Sequence, residues 1–146
     1  MIDRDRSIKL EKGWERRDAD QIASPPATGK FMASPSMRIR TYLDEAQTSG
    51  QGWISGPKLQ PKLVGMLHER VTVLGQYHAN PSAVPEEMKD GRGYIAWGDI
   101  FRGPDEGLCV RCFSWYDGRP YLGWCSVDDN FYAISLALLA SGPSAP

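Results

Sequence analysis

An α+β fold is predicted by three observations. Gly93 to Val127 alternates apolar runs with turn residues, Lys58–His78 carries the apolar period of a helix, and Phe131–Ala140 is an apolar run preceded by acids. The predicted architecture is a three-stranded antiparallel meander over about 93–127, packed against two or three helices, with an extended N-terminal arm. The expected organisation is a charged arm over 1–34, one α+β domain over 35–140 and a Pro/Ser/Ala tail over 141–146.

The meander is the clearest stretch. Asp117-Gly118 separates two apolar runs, and both central residues of a type I′ turn need positive φ, which these two types tolerate. A two-residue loop sets Tyr116 opposite Arg119, Phe113 opposite Leu122, Arg111 opposite Trp124 and Val110 opposite Cys125. Opposite residues share a face of a sheet. One face then holds Leu108, Val110, Cys112, Cys125 and Val127, a small aliphatic surface suited to a helix. The other holds Arg111, Phe113, Trp115, Leu122 and Trp124, with Pro120. Arg111 is placed there to stack on Trp124. A hairpin apolar on both sides must be covered on both or offer one to a partner.

The remaining elements follow in order. Asp3 to Asp20 alternates acids and bases with only Ile8, Leu10 and Trp14 as apolar anchors. A short exposed helix is predicted from Glu11 to Ile22, and the three anchors suit docking into a groove. Ala23–Gly29 breaks regular structure. Ser34-Pro35 reads as a helix entry for the segment Phe31–Gln47, with Gly50 and Gly52 ending it. Trp53 and Ile54 fall in a loop. Lys58–His78 reads as one long helix, since its apolar residues from Leu63 to Tyr77 fall within half a turn of the wheel. Gly65 and Gly75 each cost such a helix about 1 kcal/mol against alanine, and one of them could admit a neighbouring backbone. Pro85–Lys89 is read as one helical turn. Asp128-Asp129-Asn130 is read as the cap of the last helix, Phe131–Ala140.

Composition excludes several classes. A net charge of −1 over 146 residues gives no global case for nucleic acid or an anionic membrane. No apolar run is long enough to span a bilayer, and the charged N-terminus lacks a secretion signal. A cytoplasmic location is expected. The 3 cysteines suit buried thiols better than a disulfide framework. Cys109 and Cys112 form a CxxC, but residues three apart on a strand face opposite sides, so no zinc site is predicted. Cys112 and Cys125 share a face.

No catalytic constellation is found, and an enzyme is the less favoured reading. On one helix, His68 and His78 would lie about 15 Å apart along the axis and cannot share a metal; His68 is expected to be exposed. Asp99, Asp105 and Glu106 are acids near a loop and could bind a cation or act in acid–base chemistry. Gly103–Gly107 has the wrong spacing for a phosphate loop and carries acids. No cofactor or metal is predicted.

The expected function is therefore a small, soluble, non-catalytic interaction protein that binds a protein partner, or its own copy as a homodimer, through the aromatic sheet face or the arm. An alternative is a small-ligand-binding domain or enzyme with an aromatic pocket between sheet and long helix. The candidate residues for either are Arg111, Phe113, Trp115, Leu122, Trp124, Trp97 and Tyr121. A second alternative is a single-strand nucleic-acid binder, drawing on Arg38, Arg40, Lys58, Lys62 and Arg70 with aromatic platforms; the nearby acids argue against it. The tail Pro143-Ser144-Ala145-Pro146 resembles the short late-domain peptide of some viral structural proteins, which recruits host sorting machinery. That resemblance covers these residues alone.

Overall fold

A computed structural model describes residues 1–17 and 27–140 of the chain. The described strands are β1 (Ile2–Asp3), β2 (Glu15–Arg16), β3 (Lys30–Phe31), β4 (Arg40–Tyr42), β5 (Trp53–Ser55), β6 (Gly93–Arg102), β7 (Leu108–Tyr116), β8 (Arg119–Ser126), β9 (Asn130–Tyr132) and β10 (Ser135–Leu139). The helices are α1 (Glu45–Thr48), α2 (Gly56–Leu63) and α3 (Val71–Ala79), with 3-10 turns at Pro81–Ala83 and at Glu86–Met88, the latter within the predicted Pro85–Lys89 turn. The Pro/Ser/Ala tail lies outside the described residues.

The meander forms in the expected register. Asp117 and Gly118 take φ of 52° and 77°, as a type I′ turn demands. Phe113 faces Leu122, Arg111 faces Trp124 and Val110 faces Cys125. The meander is, however, only half of its sheet. The order is β4-β10-β6-β7-β8, with β2 beside the far end of β6, six strands in all. β10 runs parallel to β6, with Leu136 opposite Tyr94.

β10 replaces part of the last helix predicted over Phe131–Ala140. Leu136, Ala137 and Leu138 are all buried, because β10 lies between β4 and β6 with both faces covered. Such a strand reads as a continuous apolar run, which periodicity cannot tell from a buried helix. Phe131 pairs with Ile54, so Trp53–Ser55 is a strand and not a loop.

The long helix predicted over Lys58–His78 is two helices. Gly65 turns the chain at φ 89°. The residues after it take partners from the sheet: Ala140 N–H donates to Leu67 O at 2.8 Å, Glu69 N–H to Leu138 O at 3.0 Å and Gly98 N–H to Glu69 O at 3.0 Å. The link thus slots between the end of β10 and β6, beside the register shift of β6 between Ala96 and Phe101. Backbone groups paired to strands cannot also close a helix.

Two other predicted helices give way. Over Phe31–Gln47 the only helix is α1, one turn closed by a capping box: Ala46 N–H donates to Asp44 Oδ2 and Asp44 N–H to Gln47 Oε1. Met37 and Ile39 pack on the core two residues apart, a strand spacing. In the arm, Glu15–Arg16 pairs with β6 as a strand; the rest of the predicted arm helix, Asp18–Ile22, lies outside the described residues.

The sheet has a core on each face. On one side α3 and the 3-10 turns bring Val73, Leu74, Tyr77 and Met88 onto Tyr94, Ala96 and Phe113. On the other, α2 and β9 bring Leu59, Leu63 and Phe131 onto Ile95, Trp97 and Val110. Both faces of the predicted hairpin are thereby covered within the chain. No helix among the described residues is long and apolar enough to cross a membrane.

Candidate binding groove

The aromatic face of β7–β8 is not covered evenly. α3 lies over its middle, where Phe113 is fully buried and meets the Tyr77 ring edge-on, centroids 6.1 Å apart. The arm lies over its end. Between arm, α3 and β8 a groove of about 320 Å³ remains.

The arm is tied down on both sides of this groove. At its start Ile2 is buried, and the buried Arg4 guanidinium donates to both carboxylate oxygens of Glu69, at 2.8 and 3.2 Å. Gln76 accepts from Asp3 N–H at 2.9 Å and donates to Asp3 O at 2.7 Å. Thr72 Oγ1 donates to Arg4 O at 3.0 Å. At the other end β2 joins β6, and Trp14 stacks on Trp124 with centroids 4.0 Å apart and planes inclined by 18°. Gly103 makes room for it: a Cβ there would come within 3.2 Å of the Trp14 ring. Arg6 to Leu10 therefore spans the groove as a strap fixed at both ends, and the docking expected of Trp14 is made within the chain.

Trp124 is the centre of one wall. A stacked indole fills one of its faces, so the Arg111 guanidinium, 4.4 Å from its ring centroid, lies on the other. Phe101 meets it edge-on at 5.4 Å. Arg111 is half-buried, and burial lowers its pKa from the ordinary guanidinium value, opposed by the charge of Glu11. Among the described residues no oxygen accepts a hydrogen bond from its side chain. The opposite wall is α3, with Val71, Gly75 and Ala79. A Cβ at Gly75 would meet no atom within 4 Å among the described residues beyond its own helix. No other described backbone approaches there; the missing side chain leaves the groove open.

Of the seven predicted site residues, Arg111, Leu122 and Trp124 line this groove. Phe113 lies beneath α3 as core. Trp115 packs against the same core and carries the Lys89 ammonium over its ring at 4.7 Å. Tyr121 is exposed beside Tyr116, at a 6.5 Å centroid distance. Trp97 is fully buried in the other core layer against Phe131. It cannot join the groove, because successive residues of β6 face opposite sides. Arg6, Thr72, Gly75 and Gln76 are groove residues not anticipated, since the strap and α3 meet only in three dimensions.

The other titratable candidates stand apart. His68, predicted exposed, is fully buried, with Nε2 at 2.7 Å from Leu63 O; burial lowers its pKa, so the ring is neutral and Nε2–H donates. Cys112 and Cys125 are neighbours on one face, as expected; the interaction between the two thiols raises the pKa of Cys112 and lowers that of Cys125. Asp99 is buried and bonded to Arg70 and Arg16. No group of three or more His, Cys, Asp or Glu side chains that could hold a metal converges among the described residues. Comparison with protein-family models, with curated proteins and with solved structures finds no match.

One consequence is measurable directly. Trp14→Ala is expected to cost about 1–2 kcal/mol, an aromatic pair plus its buried area. It should also abolish the exciton couplet of the stacked indoles in circular dichroism and make the strap a site of proteolytic cleavage. A variant that keeps the couplet would show that Trp14 and Trp124 are not stacked.

Proposed function

We propose that this chain is a binding protein for a small organic ligand, held in the groove between the strap, α3 and β8. The observation that carries the reading is the combination of an indole–guanidinium wall with a helix glycine that leaves open space opposite it. Ligand pockets are concave, mostly apolar and furnished with a few convergent polar groups, and this groove has that composition. Glycine inside a helix costs about 1 kcal/mol against alanine, and no packing within the described residues asks for it at position 75. The protein-partner reading has less support, because the chain's own α3 and strap lie over the aromatic face it would use.

Gly75→Leu is the test. Leucine is the better helix former, and its Cβ would meet no described atom within 4 Å beyond its own helix, so the side chain would grow into the groove. The variant is expected to melt no lower than the parent while losing the small organic molecules that the parent binds in ligand-observed NMR screening. Hits that bind the two proteins equally would place the ligand elsewhere and overturn the reading.

A further inference from the structure

Resting on that reading, we infer that the groove selects compact organic monoanions, a carboxylate on an apolar body of one or two rings, with the anion received by Arg111 and Arg6. Charge is the first support. Three cations, Arg6, Lys9 and Arg111, line the groove against one carboxylate, Glu11.

The pairing of the neighbouring arginines is the second. Arg4 is buried and bonded to Glu69, and Arg70 is bonded to Asp99 through Nε at 3.0 Å and Nη2 at 3.0 Å. Arg111 departs from this rule. It is half-buried, its five N–H donors meet no oxygen acceptor among the described residues, and the indole beneath it supplies only a ring face. A partly desolvated guanidinium without hydrogen bonds is costly, and a carboxylate matches its fork. The Arg6 side chain likewise donates to no oxygen among the described residues; its backbone N–H alone is bonded, to Asp3 O.

The neutral polar groups complete the argument. The Thr72 hydroxyl is spent on Arg4 O, and the Gln76 amide on Asp3 and on Thr72 O. What is left to meet a ligand is the three cations, the Glu11 carboxylate and the Ser7 hydroxyl, set among apolar walls that include Val71, Ala79 and Leu122. The volume of about 320 Å³ lies at the small end of the range for ligand pockets, which limits the apolar body.

The experiment is isothermal titration of the full chain with 2-naphthoate and with its neutral isostere 2-naphthamide. The carboxylate is expected to bind roughly tenfold more tightly, the worth of a charge-assisted hydrogen bond. Arg111→Gln should remove the preference and leave the affinity for the amide. Arg6→Gln, at an exposed side chain without partners among the described residues, should reduce the preference without touching the fold. It keeps the test open should Arg111→Gln fail to fold. Equal binding of both probes by the parent, lost in Gly75→Leu, would leave the groove reading standing and overturn the choice of an anion. A preference that survives both arginine changes would place the anion elsewhere and overturn the inference too. If neither probe binds with a Kd of about 1 mM or tighter, the anion inference falls, and the groove reading is decided by the Gly75→Leu screen.

Discussion

Asp99→Ala is expected to lower the unfolding free energy by about 3–5 kcal/mol, the cost of leaving one member of a buried ion pair behind. Asp99 is 1% exposed. It accepts from Arg70 Nε and Nη2, each at 3.0 Å, and from Val71 N–H at 2.9 Å, and Arg16 reaches it at 3.2 Å. Val71 opens α3, so the carboxylate of β6 caps a helix that has no capping side chain of its own. Removing it strands the Arg70 charge and orphans a helix N–H in the same step. Domains of this size are stable by about 5–15 kcal/mol, so the variant should sit near its threshold at room temperature. Urea unfolding followed by tryptophan fluorescence measures it. A double change, Asp99→Leu with Arg70→Leu, is expected to recover part of the loss, since apolar residues often replace a buried pair at little net cost, while the Val71 N–H stays without its acceptor. A single-variant loss below about 1 kcal/mol would class the pair with solvated surface bridges. The groove depends on this joint, because α3 is one of its walls.

Local chemistry made the hairpin legible. Asp117-Gly118 admits one tight turn, and the alternation on either side then determines which residues share a face; Arg111 beside Trp124 followed from that alone. The anchors Ile8, Leu10 and Trp14 were visible as the few apolar residues of a charged arm. What stayed hidden was set by contacts between distant segments. Nothing within Ser135–Leu139 says that β4 and β6 flank it, and an apolar run covered on both faces has no period to read. The helical period through Lys58–His78 was genuine at both ends, but the link around Gly65 is governed by pairing with β10 and β6. The groove was half legible for the same reason. Its sheet wall follows from register, whereas Arg6 and Gly75 become groove residues only once the strap crosses α3.

Gly56→Ala is expected to cost about 3 kcal/mol or more, an extreme of overpacking, although it adds a single methyl group. Gly56 begins α2 where the chain leaves β5, and a Cβ there would lie 1.6 Å from the carbonyl oxygen of Val127 and 2.6 Å from its carbon. Both are backbone atoms, so no rotamer relieves the clash and the segments must part. Parting them strains bonds that hold this corner: Gly56 N–H to Asp129 O at 2.8 Å, Gln60 Nε2 to Val127 O at 3.1 Å and the pairing of Ser55 with Asn130. Gly75→Ala supplies the internal control. The same substitution, at a helical site with open space around it, is expected to stabilise by about 1 kcal/mol. Urea midpoints at unchanged slope should therefore move in opposite directions for the two variants. If Gly56→Ala unfolds with the parent's midpoint, then α2 does not approach the end of β8 as closely as described. If Gly75→Ala is destabilised, position 75 faces protein and the space assigned to a ligand is already filled.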